Sequence, residues 1–210
     1  MLAALLLGGA VFAGFVAFRS ATAPDLPPPA APLPGGDLSD VQRHVAASPG
    51  GPLPEEMGPD TVLVPQLRVQ APLMQVGVRQ SDVVVPFDAQ KVGVYKGAAP
   101  LTAAQGTTTL VGHVTNGAEL GAFYPLAGAE SGMRIWTRDG AGAPQEWVVQ
   151  RVVTYPRTVL PDELFAVDGP RRLVLITCGG EVRRVGSARH YAENVVVEAV
   201  PAIEPTSHDS

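Results

Sequence analysis

The sequence of 210 residues contains one cysteine, Cys178, only four histidines, and few charged residues (17%). A single cysteine excludes an intramolecular disulfide and any metal or redox site built on a CxxC pair. The formal net charge is −5, so the chain lacks the basic surface of nucleic-acid-binding proteins, and we expect no nucleic-acid partner. With 23 glycines and 21 prolines, the composition favours turns, linkers and β-structure over helix bundles and coiled coils.

The N-terminal segment, residues 1–20, is apolar. From Leu2 to Phe18 it has no charged or strongly polar residue, which is near the minimum length for a membrane-crossing helix. The segment is predicted to be a transmembrane anchor, or else a signal sequence cleaved after Ala21-Thr22-Ala23. Arg19 taken alone favours a cytoplasmic C-terminal side. We nevertheless expect a single-pass protein of the cell membrane with an extracellular domain, because the segment that follows resembles a wall-crossing spacer.

Residues 21–59 are predicted to form a Pro-rich flexible spacer. Residues 24–59 hold 10 of the 21 prolines and almost no aromatic or β-branched residues, so the segment cannot bury enough apolar surface to order itself. His44 lies in this spacer and is expected to be solvated. The tail, residues 203–210, is polar and predicted to be disordered, which removes His208 from consideration.

Residues 60–202 are predicted to fold as an all-β domain. Short runs rich in Val, Ile, Thr and aromatics alternate with Gly, Pro, Asn and Asp, and no segment has convincing helical periodicity. The simplest architecture is a closed barrel of about eight strands with short helical turns. Strands are expected near Thr61–Val64, Gln66–Val69, Leu73–Val78, Val83–Phe87, Thr107–Gly112, Met133–Thr137, Glu146–Tyr155, Leu173–Thr177 and Asn194–Val200.

Two polar residues follow β-runs and are candidates for chemistry. Cys178 ends the apolar run Leu173–Thr177 and precedes Gly179-Gly180; it is either a reactive thiol or a buried small hydrophobe. His113 ends the run Thr107–Gly112 and is either a structural histidine or the proton donor and acceptor for the cysteine. His190 is a much weaker candidate for that role. No calcium-loop or zinc-ligand spacing occurs, so neither metal nor cofactor is predicted.

These motifs together resemble the sortase family. The resemblance rests on Thr177-Cys178 at the end of a buried strand, Gly112-His113 upstream, Asn194 before Val195-Val196-Val197, and the opening run 64–72. It covers roughly residues 60–202 and is closest in form to the actinobacterial class F, then class E. The N-terminal anchor and the Pro-rich spacer also suit that family.

The resemblance implies a cysteine transpeptidase on a β-barrel. Cys178 would attack the threonine carbonyl of an LPxTG-like sorting signal and form a thioacyl intermediate, with His113 as general acid and base. Thr177 would help to hold the oxyanion through its hydroxyl or backbone. The partners implied are surface proteins with a C-terminal sorting signal, a peptidoglycan precursor as amine acceptor, and the membrane.

The resemblance also implies an arginine and a substrate groove. A guanidinium can bind a carbonyl oxygen or oxyanion; Arg189 is the first candidate, with Arg183 or Arg184 next, although all three can equally be solvated loop charges. Leu160 and Phe165, with Leu164, are expected either to line the groove or to belong to a short helix packed on the barrel.

Two alternatives to an active sortase remain. One is a cysteine L,D-transpeptidase or peptidase of another family, which is disfavoured because neither a His-Gly-Cys-Arg-like nor a Cys-Gly-Ser-Cys stretch occurs. The other is a catalytically silent sortase-like module that binds surface proteins or cell wall. It is supported by the position of the arginine, since sortases commonly have one at the start of the final strand, where this sequence has Asn194.

Overall fold

The structure is a computed structural model that describes residues 57–79, 82–140, 142, 144–185 and 188–202. The segments predicted to be a membrane anchor (residues 1–20) and a disordered tail (residues 203–210) lie outside these residues, as do most of the predicted spacer, His44 and His208. No helix within the described ranges is long and apolar enough to cross a membrane.

The regular secondary structure of the described residues is mostly β-strand. In chain order the strands are β1 (Thr61–Val64), β2 (Val69–Val76), β3 (Val78–Arg79), β4 (Asp82–Val83), β5 (Val92–Tyr95), β6 (Thr107–Val111), β7 (Thr115–Asn116), β8 (Glu119–Leu120), β9 (Arg134–Arg138), β10 (Gln145–Pro156), β11 (Arg172–Val185) and β12 (Ala188–Pro201). Short 3-10 helices cover Pro65–Leu67, Tyr124–Gly128 and Asp162–Phe165.

Eight of these strands close into one barrel. Their order around the wall is β1-β2-β5-β6-β11-β12-β10-β9, and β9 pairs with β1 to complete the ring. Two neighbouring pairs, β2–β5 and β6–β11, are parallel, and the other pairs in the wall are antiparallel. The predicted all-β barrel of about eight strands with short helical turns is therefore confirmed.

Side chains of β11 alternate between two apolar clusters. Leu173 and Leu175 point into the barrel, where Trp147 is fully buried and donates its indole N–H to the hydroxyl of Thr137 at 2.8 Å. The residues between them, Val174 and Ile176, point outward. They belong to a second cluster on the outside of the wall, called here the outer cluster: Val76, Val111, Leu164, Val174, Ile176 and Val196.

Several predicted elements were wrong in detail. Pro65–Leu67 forms a 3-10 helix that ends at Arg68 in the left-handed conformation (φ 55°), so the strand predicted at Gln66 starts only at Val69. The strand predicted over Val83–Phe87 is limited to Asp82–Val83, since Pro86 cannot donate to a ladder.

The last two strands are longer than predicted. β11 continues through Cys178 to Val185, and β12 begins at Ala188 instead of Asn194. The pairing shifts register between Gly179 and Val182, and Gly180 has a positive φ of 72°, which a glycine adopts without steric cost. Arg183, Arg184 and Arg189, expected in a loop, therefore lie on the strands of a hairpin.

Candidate active site

The parallel pair β6–β11 brings His113 and Cys178 to the same end of the barrel. The regular pairing of the two strands ends at Val111 opposite Ile176. One residue further, the Gly112 amide donates to the carbonyl of Ile176 at 3.1 Å, and the Thr177 hydroxyl donates to the carbonyl of Gly112 at 2.9 Å. His113 follows Gly112, and Cys178 follows Thr177. The two residues therefore lie at the same level, just beyond the region where β6 and β11 are paired.

The alternation of β11 places Cys178 on the outer face of the wall. Ile176, two residues earlier, belongs to the outer cluster, and a period of two gives Cys178 the same face. Its cross-strand partner is Asn194, two residues before Val196 of the same cluster. The cysteine therefore lies at the end of an apolar strip on the outside of the barrel.

The Cys178 thiol is protonated at neutral pH. The residue is partly exposed, but burial raises the pKa of its thiol to about 12, and the positive charge of Arg157 opposes this with a smaller lowering effect. Since the thiolate is the nucleophile, a base must remove the proton as the sulfur attacks.

His113 is buried and has a defined tautomer. Its Nε2 lies 2.8 Å from the carbonyl oxygen of Pro86; since a carbonyl only accepts, Nε2 carries the hydrogen. Burial lowers the pKa of His113, and the hydrogen bond to Pro86 raises it by less. The imidazole is therefore neutral near pH 7, and its lone pair is on Nδ1. A neutral imidazole can accept the proton of a thiol.

The loop that follows Pro86 is bonded to the short hairpin after His113 and to the residues just beyond that hairpin. Asn116 of β7 donates its side-chain amide to the carbonyl of Phe87 at 2.8 Å, and Ala122 donates its backbone amide to the carbonyl of Ala89 at 2.8 Å. The role of Pro86 could not be predicted from the sequence, because the contact involves a backbone carbonyl of a distant loop.

The predicted groove residues lie beside this site. Leu160 and Phe165 are partly buried and pack against the outer cluster, and the Phe165 ring meets Tyr95 edge-on with centroids 5.8 Å apart. Leu164 between them is fully buried in the 3-10 helix Asp162–Phe165. The helix expected as the alternative is thus present, and it borders the strip that ends at Cys178.

Thr177 adjoins the cysteine but uses its hydroxyl elsewhere. The side chain is 1% exposed, and its proton is donated to Gly112. A contribution of this hydroxyl to an oxyanion would require that bond to break, so the assignment stays a prediction.

The arginines predicted from the sequence lie along the hairpin, away from the cysteine. Arg184 pairs with Arg189, and Arg183 pairs with His190. The backbone of Arg189 is five residues along β12 from Asn194, the partner of Cys178, or about 17 Å along an extended strand. The active-site role of Arg189 stays a prediction.

A different arginine, Arg157, lies across β12 from the cysteine strand, level with Ala192 and two residues along β12 from the partner of Cys178. It follows β10, where Tyr155 pairs with Asn194 and Pro156 with Glu193. Arg157 could not be identified from the sequence, since its proximity to the cysteine depends on the β10–β12 register.

Comparisons with known proteins agree with this architecture. A family model described as the sortase domain matches residues 62–202. Sortase C1 from Streptococcus suis is similar in structure, with a TM-score of 0.55, 14% identity, and coverage of 81% of this chain and 98% of that one. Sortase A from Corynebacterium diphtheriae gives a TM-score of 0.53, 17% identity, and coverage of 71% of this chain and 62% of that one.

Sortase A from Listeria monocytogenes is also similar, with a TM-score of 0.50, 15% identity, and coverage of 70% of this chain and 88% of that one. No curated protein matches the chain. At these identities the structural likeness shows the fold alone, but the family model covers well over half of the residues. This chain belongs to the sortase family.

Proposed function

We propose that this protein is a membrane-anchored cysteine transpeptidase, of class F or else class E. It cleaves an LPxTG-like sorting signal after its threonine and transfers the protein to an amine of a cell-wall precursor. The observation that carries the proposal is the placement of a thiol and a neutral imidazole at the same end of a parallel strand pair, within a sortase domain.

The first half-reaction forms a thioester. The proton of the Cys178 thiol passes to Nδ1 of His113 while the sulfur bonds to the threonine carbonyl carbon of the sorting signal, giving a tetrahedral oxyanion. The C–N bond then breaks as the oxyanion collapses, and His113 returns the proton to the departing amine. The threonine is left bound to Cys178 as a thioacyl group.

The second half-reaction regenerates the enzyme. The amine of a peptidoglycan precursor attacks the thioacyl carbon, His113 accepts a proton from that amine, and the C–S bond breaks. The proton returns to the Cys178 sulfur, and a new amide bond joins the surface protein to the precursor. No metal ion or cofactor is needed for either step.

The N-terminal segment sets the location in this proposal. Residues 1–20 anchor the protein by a single pass in the cell membrane, and the Pro-rich spacer carries the barrel on the extracellular side. Leu160 and Phe165, which border the apolar strip, contact the apolar residues of the sorting signal there.

One observation favours a second candidate, a catalytically silent sortase-like module that binds surface proteins or cell wall. Burial raises the pKa of Cys178 to about 12, which is the state of an unreactive structural cysteine. The two candidates differ in a single measurable property, the formation of a product that depends on Cys178.

The test is a transpeptidation assay on the full chain in detergent. A library of LPxTG-type peptides is incubated with an amine acceptor, and ligated products are identified by mass spectrometry. We expect product from the wild type and none from Cys178→Ala or His113→Ala when thermal unfolding shows that both variants fold. Peptide binding without any product would favour the silent module, and neither binding nor product would contradict both candidates.

A further inference from the structure

We propose that Arg157 is the cation of this active site: its guanidinium stabilises negative charge on the Cys178 sulfur and on the oxyanion of the scissile carbonyl. The first role stands independently of the proposed function, and the second rests on it. Arg157 exchanges no proton in either step, since the guanidinium stays protonated throughout.

Hydrogen bonds hold Arg157 against the last strand, two residues from the position opposite Cys178. Its amide donates to the carbonyl of Ala192 at 3.0 Å, and its own carbonyl accepts a hydrogen bond from the side-chain amide of Asn194 at 3.1 Å. Asn194 is in turn the cross-strand partner of Cys178. One residue thus connects Arg157 to the cysteine.

The side chain of Asn194 has a second feature that suits a binding site beside Cys178. Asn194 is fully buried, and its Oδ1 has no hydrogen-bond partner among the described residues. An unpaired buried carbonyl oxygen is costly, and the β10–β12 sheet alone does not require one. A polar group retained at this cost beside Cys178 suits a site that receives a polar ligand.

The charges around the cysteine support the same assignment. Arg157 is partly buried, which limits solvent screening, and among the side chains that the structure describes it is the cation whose charge lowers the pKa of Cys178. Titratable residues on the neighbouring elements include Tyr155, which pairs with Asn194, Glu193, which pairs with Gly179, and His113 beyond the end of β6. The carboxylate of Glu193 lies against Gly180, where an added Cβ would collide with it.

The hairpin arginine is less well placed. The Arg189 backbone is about 17 Å along the strand from the residue opposite Cys178, whereas Arg157 is bonded to that residue directly. We therefore assign the role of the active-site cation to Arg157, which follows β10, instead of to an arginine of the β11–β12 hairpin.

The first experiment measures Cys178 alkylation by iodoacetamide from pH 6 to pH 10 in the full chain, without a peptide. Because the chain has one cysteine, the gain in intact mass reports a single site. We compare the wild type with Arg157→Met, Arg157→Lys and Arg189→Met. Arg79→Met, which removes an exposed arginine of β3, is the matched control.

At pH 8 we expect Arg157→Met to slow alkylation about tenfold, because removing a nearby cation raises the pKa of the thiol. Arg157→Lys keeps the charge and should stay near the wild-type rate, as should Arg189→Met and Arg79→Met. An unchanged rate in Arg157→Met, or a larger loss in Arg189→Met, would overturn the assignment. Should Arg157→Met not fold, Asn194→Ala replaces it, with an expected loss of about threefold; an unchanged rate there would also overturn the assignment.

The second experiment measures the single-turnover rate of thioacylation with a sorting peptide. Arg157→Met should lower this rate by about 100-fold or more with little change in peptide affinity, and Arg157→Lys should recover part of it. If the wild type reacts and Arg157→Met reacts equally fast, the oxyanion role is wrong and the proposed function stands. If the wild type reacts with no peptide, the proposed function fails and the alkylation rates still decide the thiolate role.

Discussion

The hydroxyl of Thr177 donates a hydrogen bond to the carbonyl oxygen of Gly112 at 2.9 Å, and these two residues directly precede Cys178 and His113. The bond joins β11 to the chain just beyond the end of β6, where their regular pairing ends. It therefore sets the position of the nucleophile relative to the base.

Thr177→Val tests this relationship, since valine has nearly the same shape but cannot donate. The buried carbonyl of Gly112 would lose a donor, at a cost of about 1–2 kcal/mol in the free energy of unfolding. We expect peptide cleavage to fall at least severalfold. Thr108→Val is the control: Thr108 is equally buried, but its hydroxyl bonds to Ala99 at 2.8 Å, so it should lose stability without comparable loss of activity. Equal activity losses in both variants would show that the Thr177 bond has no special positioning role.

Gly121→Ala should displace His113. A Cβ at position 121 would collide with the backbone carbonyl of His113, and neither backbone segment can rotate away as a side chain would. We expect a destabilisation of about 1–3 kcal/mol and a loss of activity greater than the loss of folded protein explains. Gly77→Ala, where an added Cβ meets nothing within 4 Å, should leave both the stability and the activity unchanged. Wild-type activity in Gly121→Ala would contradict the fixed position of His113.

The raised pKa of Cys178 predicts a loss of stability at high pH. The thiol has a reference pKa of 9.0 and a folded-state pKa of about 12. Between these values the unfolded chain releases a proton that the folded chain retains, so the free energy of unfolding falls as pH rises. Urea unfolding at pH 7, 9 and 10 should show this fall, and it should be smaller in Cys178→Ala because that variant lacks the thiol. Identical pH dependence in the two proteins would contradict the buried thiol.

The lowered pKa of His113 predicts an acid limb in the activity. Since protonated His113 cannot accept the thiol proton, kcat/KM for peptide cleavage should decrease with decreasing pH below the usual histidine value of 6.5. It should be nearly constant between pH 7 and pH 8, where the imidazole is already neutral. A pH profile from 5 to 8 measures this; a midpoint above 7 would require a protonated resting histidine and contradict the assigned state.

The sequence was sufficient to predict the barrel and the position of His113 just beyond a strand. Cys178 was predicted to end its strand, but β11 continues past it to Val185. Strongly apolar runs such as Leu173–Thr177 specify buried strands on their own, and each polar residue that follows one is visible in the sequence. β5 was not predicted because Val92–Tyr95 is only four residues long and contains a glycine.

The contacts that complete the site could not be predicted. The carbonyl of Pro86 meets His113 across 27 residues of sequence, and a backbone carbonyl carries no residue-specific signal. Arg157 lies near Cys178 because of the register between β10 and β12, and register is set by packing and turns throughout the barrel. The hairpin beyond Cys178 was not predicted, because glycines and charged residues interrupt the apolar residues of 179–193.

The central claim is that Cys178 forms a thioacyl bond to the threonine of a sorting signal. The most direct measurement is the intact mass of the full chain after incubation with LPxTG-type peptides in the absence of an amine acceptor, followed by mapping of the modified residue. The account predicts an adduct with the mass of the peptide truncated after threonine, located on Cys178, absent in Cys178→Ala and released when an amine is added. An unmodified mass with every peptide, together with a thiol that alkylates only in denaturant, would contradict it.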